Sequence, residues 1–165
     1  MHGYCKFIQN ALDYCIASFR EYNKYDDIIT CLRTHDSTLH SKFRHSIAED
    51  IAKLLYIRYG GQIKDLKLYG STMQYEAGMF SDIDIIIKVK YPSDDLINTL
   101  KKLDKMLCKE YYRLICQEMS EYTYFLDPHI IDENPYAEAK MSKPYLEYIF
   151  RNDSVELPKP ALKPA

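Results

Sequence analysis

Two short motifs in the middle of the chain combine residue types suited to phosphate and metal chemistry. Gly70 and Ser71 follow an apolar run, and Asp82 and Asp84 open another such run after ten intervening residues. On a strand, residues i and i+2 lie on one face, so the two carboxylates would project the same way. Paired carboxylate oxygens suit Mg²⁺, and a Gly-Ser turn offers backbone N–H groups to a phosphate. The pattern predicts metal-assisted phosphoryl or nucleotidyl transfer.

Hydrophobic periodicity predicts the elements that would hold these motifs. Apolar stripes at helical spacing predict helices, and alternating or β-branched apolar runs predict strands. The predicted helices cover residues 3–22, 25–33, 42–59, 94–109 and 135–151. The predicted strands cover residues 63–69, 83–91, 112–118 and 121–131. Residues 34–41 are polar and turn-like. Gly60 and Gly61 are expected to end the third helix, and residues 92–95 are expected to cap the fourth.

The order of these elements predicts one α/β (α+β) domain over residues 1–157. We expect a helical N-terminal part over residues 1–40 and a core over residues 41–132 that carries both motifs. The core would contain a small mixed or antiparallel sheet flanked by helices, and the helix over residues 135–151 would complete the domain. Residues 158–165 are rich in proline and lysine, which predicts a flexible tail. No internal repeat and no linker divides the chain.

Composition narrows the class of protein. The chain has 165 residues, 22 basic and 24 acidic, with a net charge of −2, whereas a protein that coats nucleic acid would be basic. The five cysteines form no CxxC pair. The sequence also shows no signal segment and no apolar run long enough to span a membrane. We therefore expect free thiols in the cytoplasm and no membrane contact.

The region from residue 42 to residue 132 resembles the DNA polymerase β-like nucleotidyltransferase superfamily, and in particular its minimal, stand-alone domains. The resemblance rests on a helix, a strand that ends in Gly70-Ser71, and Asp82-Ile-Asp84 at the start of an apolar strand. It implies that Gly70 and Ser71 contact nucleotide phosphates and that Asp82 and Asp84 bind Mg²⁺ or Mn²⁺. It also implies the nucleotidyltransferase fold and a nucleoside triphosphate donor, with ATP the expected one.

The resemblance also implies a third carboxylate on a later strand beside the first two. Asp127 is the preferred candidate, because it lies in an apolar segment that continues as strand-like residues. Asp132 is its competitor, and Glu118 and Glu121 remain open. His129 lies nearby in sequence. We favour an ordinary strand histidine over a general base for this residue.

The chain departs from the superfamily in two respects. Close relatives often carry Arg soon after the Gly-Ser pair, but residues 72–74 contain none. The cation for the triphosphate is therefore unassigned, and Lys67, Lys88 and Lys90 are the nearest in sequence. Too few residues follow the third carboxylate for a second, acceptor-binding domain. The helices over residues 3–33, or a partner subunit as in a homodimer, would have to shape the acceptor pocket.

The function expected from the resemblance is transfer of a nucleoside monophosphate to an acceptor hydroxyl, with release of pyrophosphate. Asp82, Asp84 and Asp127 would hold the metal, and Asp127 could assist deprotonation of the acceptor. A protein, a tRNA end or a small molecule such as an antibiotic could be the acceptor. The alternatives are a non-catalytic, antitoxin-like module that binds a nucleotide or a partner protein, and a short nucleotide-adding polymerase.

Overall fold

The computed structural model describes residues 3–132 and 143–161. Within them, three helices come first, and strands and helices then alternate, in the order α–α–α–β–α–β–α–β–α–β. The helices are α1 (Lys6–Ser18), α2 (Tyr25–Leu32), α3 (Ser37–Tyr59), α4 (Gly70–Met73), α5 (Asp94–Leu114) and α6 (Lys143–Asn152). The strands are β1 (Ile63–Tyr69), β2 (Ile83–Val89), β3 (Leu126–Asp132) and β4 (Ser154–Glu156). The described residues therefore form a mixed α/β architecture, as the sequence predicted.

The four strands form one sheet in the order β3-β2-β1-β4. β1 pairs antiparallel with β2 and with β4, whereas β2 and β3 are parallel. Parallel neighbours need a long crossover connection, and α5 supplies it between β2 and β3. The sheet is thus mixed, and its one parallel pair brings the beginnings of β2 and β3 to the same edge.

The two faces of β2 meet different partners. Alternate residues point to opposite sides of a strand. One set is buried in the main core with the helices, and its members are Ile83, Ile85, Ile87 and Val89. On the other face, Ile86 packs with Ile131 of β3 and with Leu146, Ile149 and Phe150 of α6. Asp84 precedes Ile86 on that second face, so α6 covers the face on which the acidic motif lies.

Several predicted boundaries are confirmed, but the predicted start of α3 is wrong. The strand over residues 63–69 and the end of the third helix at Tyr59 are as predicted. The predicted turn over residues 34–41 is too long, since α3 begins at Ser37. The carboxylate of Asp36 accepts the backbone N–H of Leu39 at 3.0 Å, a standard N-cap contact that starts the helix there.

The predicted strand over residues 112–118 is wrong. α5 continues to Leu114, because the stripe of Leu103 and Leu107 extends to Tyr111, and all three side chains are buried. Tyr111 and Tyr112, whose aromatic side chains have strand propensity, thus belong to the buried face of a helix. The next strand starts only at Leu126, so the prediction over residues 121–131 begins too early.

The C-terminal predictions are correct in part. Residues 143–151 of the predicted final helix lie in α6, and residues 135–142 lie outside the described residues. The prediction missed β4, a strand of three residues, too short for any periodic signal. Residues 158–161 of the predicted tail carry no regular secondary structure, and residues 162–165 lie outside the described part.

A fully buried arginine connects α3 to the loop before β2. The Arg44 guanidinium donates to the carbonyls of Met79 (3.1 Å) and Ser81 (2.9 Å). It also donates to the hydroxyl of Tyr111 on α5 (2.8 Å), which itself donates to the Met79 carbonyl (2.5 Å). The rings of Tyr111 and Phe125 lie 4.7 and 5.2 Å from its central carbon. One side chain therefore joins α3, α5 and residues 79–81.

A neutral histidine completes the surroundings of Arg44. His40 Nδ1 lies 3.1 Å from the Arg44 guanidinium, and His40 Nε2 lies 2.8 Å from the Thr34 carbonyl. Burial lowers the pKa of His40 to about 4, so the ring is neutral at pH 7. Nε2–H can then donate to Thr34 while Nδ1 accepts from Arg44, which leaves only one formal charge in this part of the core.

Replacement of Arg44 by methionine should strongly destabilise the fold. Arg44→Met keeps an apolar stem but removes the donor of the Ser81 carbonyl and one donor each from the Met79 carbonyl and the Tyr111 hydroxyl. We expect a cost of about 3–5 kcal/mol in the free energy of unfolding. Arg58→Met is the control, because Arg58 is exposed and solvent screens its ion pair with Asp95, so only a small loss is expected. Urea denaturation measures both. Equal small losses would contradict the role assigned to Arg44.

Candidate metal centre

The start of β2 carries the acidic motif between its two neighbouring strands. Asp84 pairs with Tyr69 at the end of β1 on one side and with Asp127 near the start of β3 on the other. Asp82 lies in the loop just before the strand, so the strand alternation that predicted a common face with Asp84 does not apply to it. Parallel pairing puts side chains of matched register on the same face. Asp84 and Asp127 therefore project side by side from the sheet.

Two contacts hold the start of β3 in this register. The carboxylate of Asp104 on α5 accepts the backbone N–H groups of Phe125 and Leu126, each at 2.8 Å. The carbonyl of Phe125 accepts the N–H of Ile83 at 2.8 Å. A shift by one residue would break these bonds and turn Asp127 to the opposite face. The position of Asp127 is thus set by α5 as well as by β2.

Three side chains at this edge could together hold a metal ion. Ligand atoms of Asp84, Asp127 and His129 all lie within 4.8 Å of one another, and His129 Nε2 lies 3.1 Å from an oxygen of Asp127. Two carboxylates and an imidazole form a donor set that fits a divalent cation. Asp82 is not part of this compact set, although its charge interacts with Asp127.

The inclusion of His129 is the feature that the sequence interpretation did not foresee. His129 does lie in a strand, as expected, but it is two residues from Asp127 and so shares its face. Its ring centre is 6.1 Å from that of Tyr69. The i, i+2 spacing was the available signal. It was uninformative without knowledge that this face adjoins Asp84.

Gly70 allows Asp84 to approach the end of β1. Its φ is +75°, a left-handed value that favours glycine. A Cβ placed on Gly70 would overlap Oδ2 of Asp84 and lie 3.2 Å from its Cγ. The sequence interpretation assigned Gly70 to contact with a nucleotide phosphate. In the structure the Asp84 carboxylate occupies that space, and Gly70 and Ser71 open the single helical turn α4.

The pKa values of Asp82 and Asp84 are raised above that of a free carboxyl group. Burial, together with the charges of Asp82 and Asp127, raises the pKa of Asp84 to about 7. Burial and the Asp127 charge raise the pKa of Asp82 in the same direction. The hydrogen bond to Asp127 raises the pKa of His129. The site therefore concentrates negative charge, which a divalent cation would neutralise.

The competing carboxylates lie elsewhere. Asp132 pairs with Val89 at the opposite end of β3, about 16 Å along the strand from Asp127 at 3.3 Å per residue. Glu118 and Glu121 are exposed in the loop between α5 and β3. The structure thus brings Asp127 to Asp84 and separates the alternatives from them.

The lysines considered for the triphosphate have other partners or positions. The ammonium of Lys67 donates to the carbonyl of Phe150 at 2.8 Å and lies 4.2 Å from the centre of its ring. Lys88 lies 3.9 Å from a carboxylate oxygen of Glu147 on α6. Lys90 is exposed beyond the end of β2. Lys67 and Lys88 thus help to fasten α6 to the sheet.

Comparison with known proteins does not assign the chain to a family. Scans against models of protein families, curated proteins and solved structures found no match to this chain. Among the helices of residues 3–132 and 143–161, none combines the length and the apolar character needed to cross a membrane.

Alanine at Gly70 should disturb the fold through Asp84. Gly70→Ala adds a Cβ at a positive φ and against a carboxylate, which we expect to cost about 3 kcal/mol in the free energy of unfolding. Gly61→Ala is the matched control, because nothing lies within 4 Å of its added Cβ, and its change should stay within about 1 kcal/mol.

A double-mutant cycle with Asp84→Ala separates the two causes. Removal of the carboxylate relieves the overlap but not the backbone strain, so the double variant should be more stable than the sum of the single losses by about 1 kcal/mol. Urea denaturation measures all three variants. Strict additivity would show that Gly70 and Asp84 do not pack as described.

Stability in EDTA should depend on pH through Asp84. Its pKa rises from 3.8 in the unfolded chain to about 7 in the fold, so its protonated form is favoured by folding. That stabilisation is complete below about pH 4 and is lost as pH rises through about 7. Asp84→Asn should therefore gain about 1–2 kcal/mol relative to wild type between pH 5 and pH 8, after discount for solvent screening. A pH-independent difference in urea denaturation would contradict the raised pKa.

Proposed function

We propose that the chain is a nucleotidyltransferase with the fold of the polymerase β-like superfamily. It transfers a nucleoside monophosphate from a triphosphate, ATP in the first instance, to an acceptor hydroxyl and releases pyrophosphate. The observation that carries this proposal is the juxtaposition of Asp84 and Asp127 across the parallel β2–β3 pair, directly beside Gly70. The resemblance implied such a pair of carboxylates, and their proximity supports the proposal.

Each residue of the site has a role that its position supports. Asp84 and Asp127, with Asp82 at the rim, would hold Mg²⁺ or Mn²⁺, and the bound cation would neutralise charge on the phosphates. Gly70 and Ser71 would face the terminal phosphates. The acceptor oxygen bonds to the α-phosphorus while the bond to the bridging oxygen breaks, and pyrophosphate leaves. Asp127 accepts the acceptor proton, and the hydrogen bond from His129 orients it.

A second candidate is a non-catalytic module that binds a nucleotide or a partner protein. Two observations favour it. Asp82 lies outside the compact ligand set, and Lys67 and Lys88, two of the lysines considered for the phosphates, are engaged with α6. A module that binds a nucleotide would share the metal and phosphate site, so it would differ from the enzyme only in whether the phosphorus–oxygen bond is broken.

Transfer of label tests the proposal directly. The protein is incubated with each α-³²P-labelled triphosphate, Mg²⁺ and cell extract, and label is followed into protein, RNA and small molecules. Asp84→Asn and Asp127→Asn should each reduce transfer at least about 100-fold, since each removes a metal ligand. Asp94→Asn, an exposed carboxylate at the start of α5, should leave transfer unchanged.

Two results would overturn the enzymatic reading. Equal labelling by wild type and by both site variants would reject the metal site. Binding of ATP that requires Mg²⁺ and Asp84, without transfer to any acceptor, would favour the non-catalytic module. The class of molecule that receives the label identifies the acceptor.

A further inference from the structure

An open cavity of about 300 Å³ adjoins the carboxylates on the side of β3. Asp82 forms part of its wall, and the rest is largely aromatic, from Phe80, Tyr112, Tyr122 and Tyr124. No Lys or Arg lies among the described residues that line it. The helices α1 and α2, which the sequence interpretation considered for the acceptor, contribute nothing to this wall.

Three of the four aromatic residues that line this cavity are exposed, whereas Tyr112 is buried. Tyr122 is 82% exposed, Phe80 61% and Tyr124 50%. Single exposed apolar residues are common, but several that converge on one concave surface mark a site of interaction. Rings arranged in this way can bind a planar aromatic group by stacking.

The walls are held in place by contacts outside the cavity. Arg44 binds the carbonyls on either side of Phe80, and the Phe80 ring lies 6.3 Å from that of Tyr112. On the opposite wall, the hydroxyl of Thr123 accepts the N–H of Ser120 at 2.9 Å. These contacts fix the backbone at two parts of the wall, which lowers the entropic cost of binding.

The order of strands places this cavity opposite the phosphate side. Gly70 and Ser71 flank β2 on the β1 side, whereas residues 122–124 precede β3 on the other side. Pyrophosphate leaves towards Gly70 and Ser71 in the proposed reaction. The nucleoside attached to the α-phosphate then extends past the carboxylates, in the direction of the cavity.

We propose that the aromatic cavity binds the base of the nucleoside triphosphate by stacking, an inference that rests on the proposed function. The negative charge of Asp82 and the absence of a lining cation disfavour an anionic group there. A neutral base suits both the rings and this field. Stacking tolerates every base, so we expect affinities for ATP, GTP, CTP and UTP that differ little.

The test compares ATP with tripolyphosphate, which has the phosphates but no base. Dissociation constants are measured by calorimetry with Mg²⁺ for wild type, Phe80→Ala and Tyr122→Ala. Each substitution should weaken ATP binding about tenfold and leave tripolyphosphate binding unchanged. Tyr122→Phe keeps the ring and should retain ATP affinity. Tyr91→Ala, at an exposed tyrosine beyond the far end of β2, is the control.

The outcomes separate this inference from the proposed function. If ATP affinity is unchanged in both ring variants, while tripolyphosphate still binds in an Asp84-dependent manner, the base lies elsewhere and only this inference fails. Equal weakening of both ligands would also overturn it. If wild type binds neither ligand, the proposed function fails as well. A raised KM for the acceptor with unaltered ATP affinity would assign the cavity to the acceptor instead.

Discussion

The buried guanidinium of Arg44 is the interaction on which the arrangement of this molecule depends. It brings donors from α3 to the carbonyls of Met79 and Ser81 in the loop before β2. α5 joins it through Tyr111, which also donates to the Met79 carbonyl. A buried charge is tolerated only when its donors are satisfied, so the loop can have only one position. That loop leads directly into Asp82 and β2. A core interaction thereby determines where the acidic motif begins.

The sheet then concentrates charge at one edge. The parallel β2–β3 pair brings Asp127 to Asp84, and Gly70 lets Asp84 lie against the end of β1. Mutual repulsion and burial make this arrangement unfavourable without a compensating cation. Contacts made elsewhere, such as that of Asp104 with the start of β3, hold the carboxylates together. Such a preorganised negative site is what binding of a divalent cation requires.

Local patterns predicted much of this fold. β1 and the start of α5 at Asp94 were correct, because strong alternation and a Ser N-cap act within a few residues. The prediction of a strand over residues 112–118 was wrong. Tyr111 and Tyr112 have strand propensity, but they complete a buried helical stripe. β4 escaped prediction, since its three residues are a strand only by pairing with β1. Propensity fails where tertiary contacts decide.

The sequence by itself determined the two motifs, their spacing and the strand that begins after Asp82, because these follow from chain geometry over a few residues. It also singled out Asp127 from its neighbours. Only the tertiary structure decided that Asp127 and His129 meet Asp84 while Asp132 lies at the far end of β3. Strand order and register arise from packing between distant segments, and no local pattern records them. Arg44 shows the same limit, since nothing in its helix distinguishes it from a solvated arginine until α5 and the loop close around it.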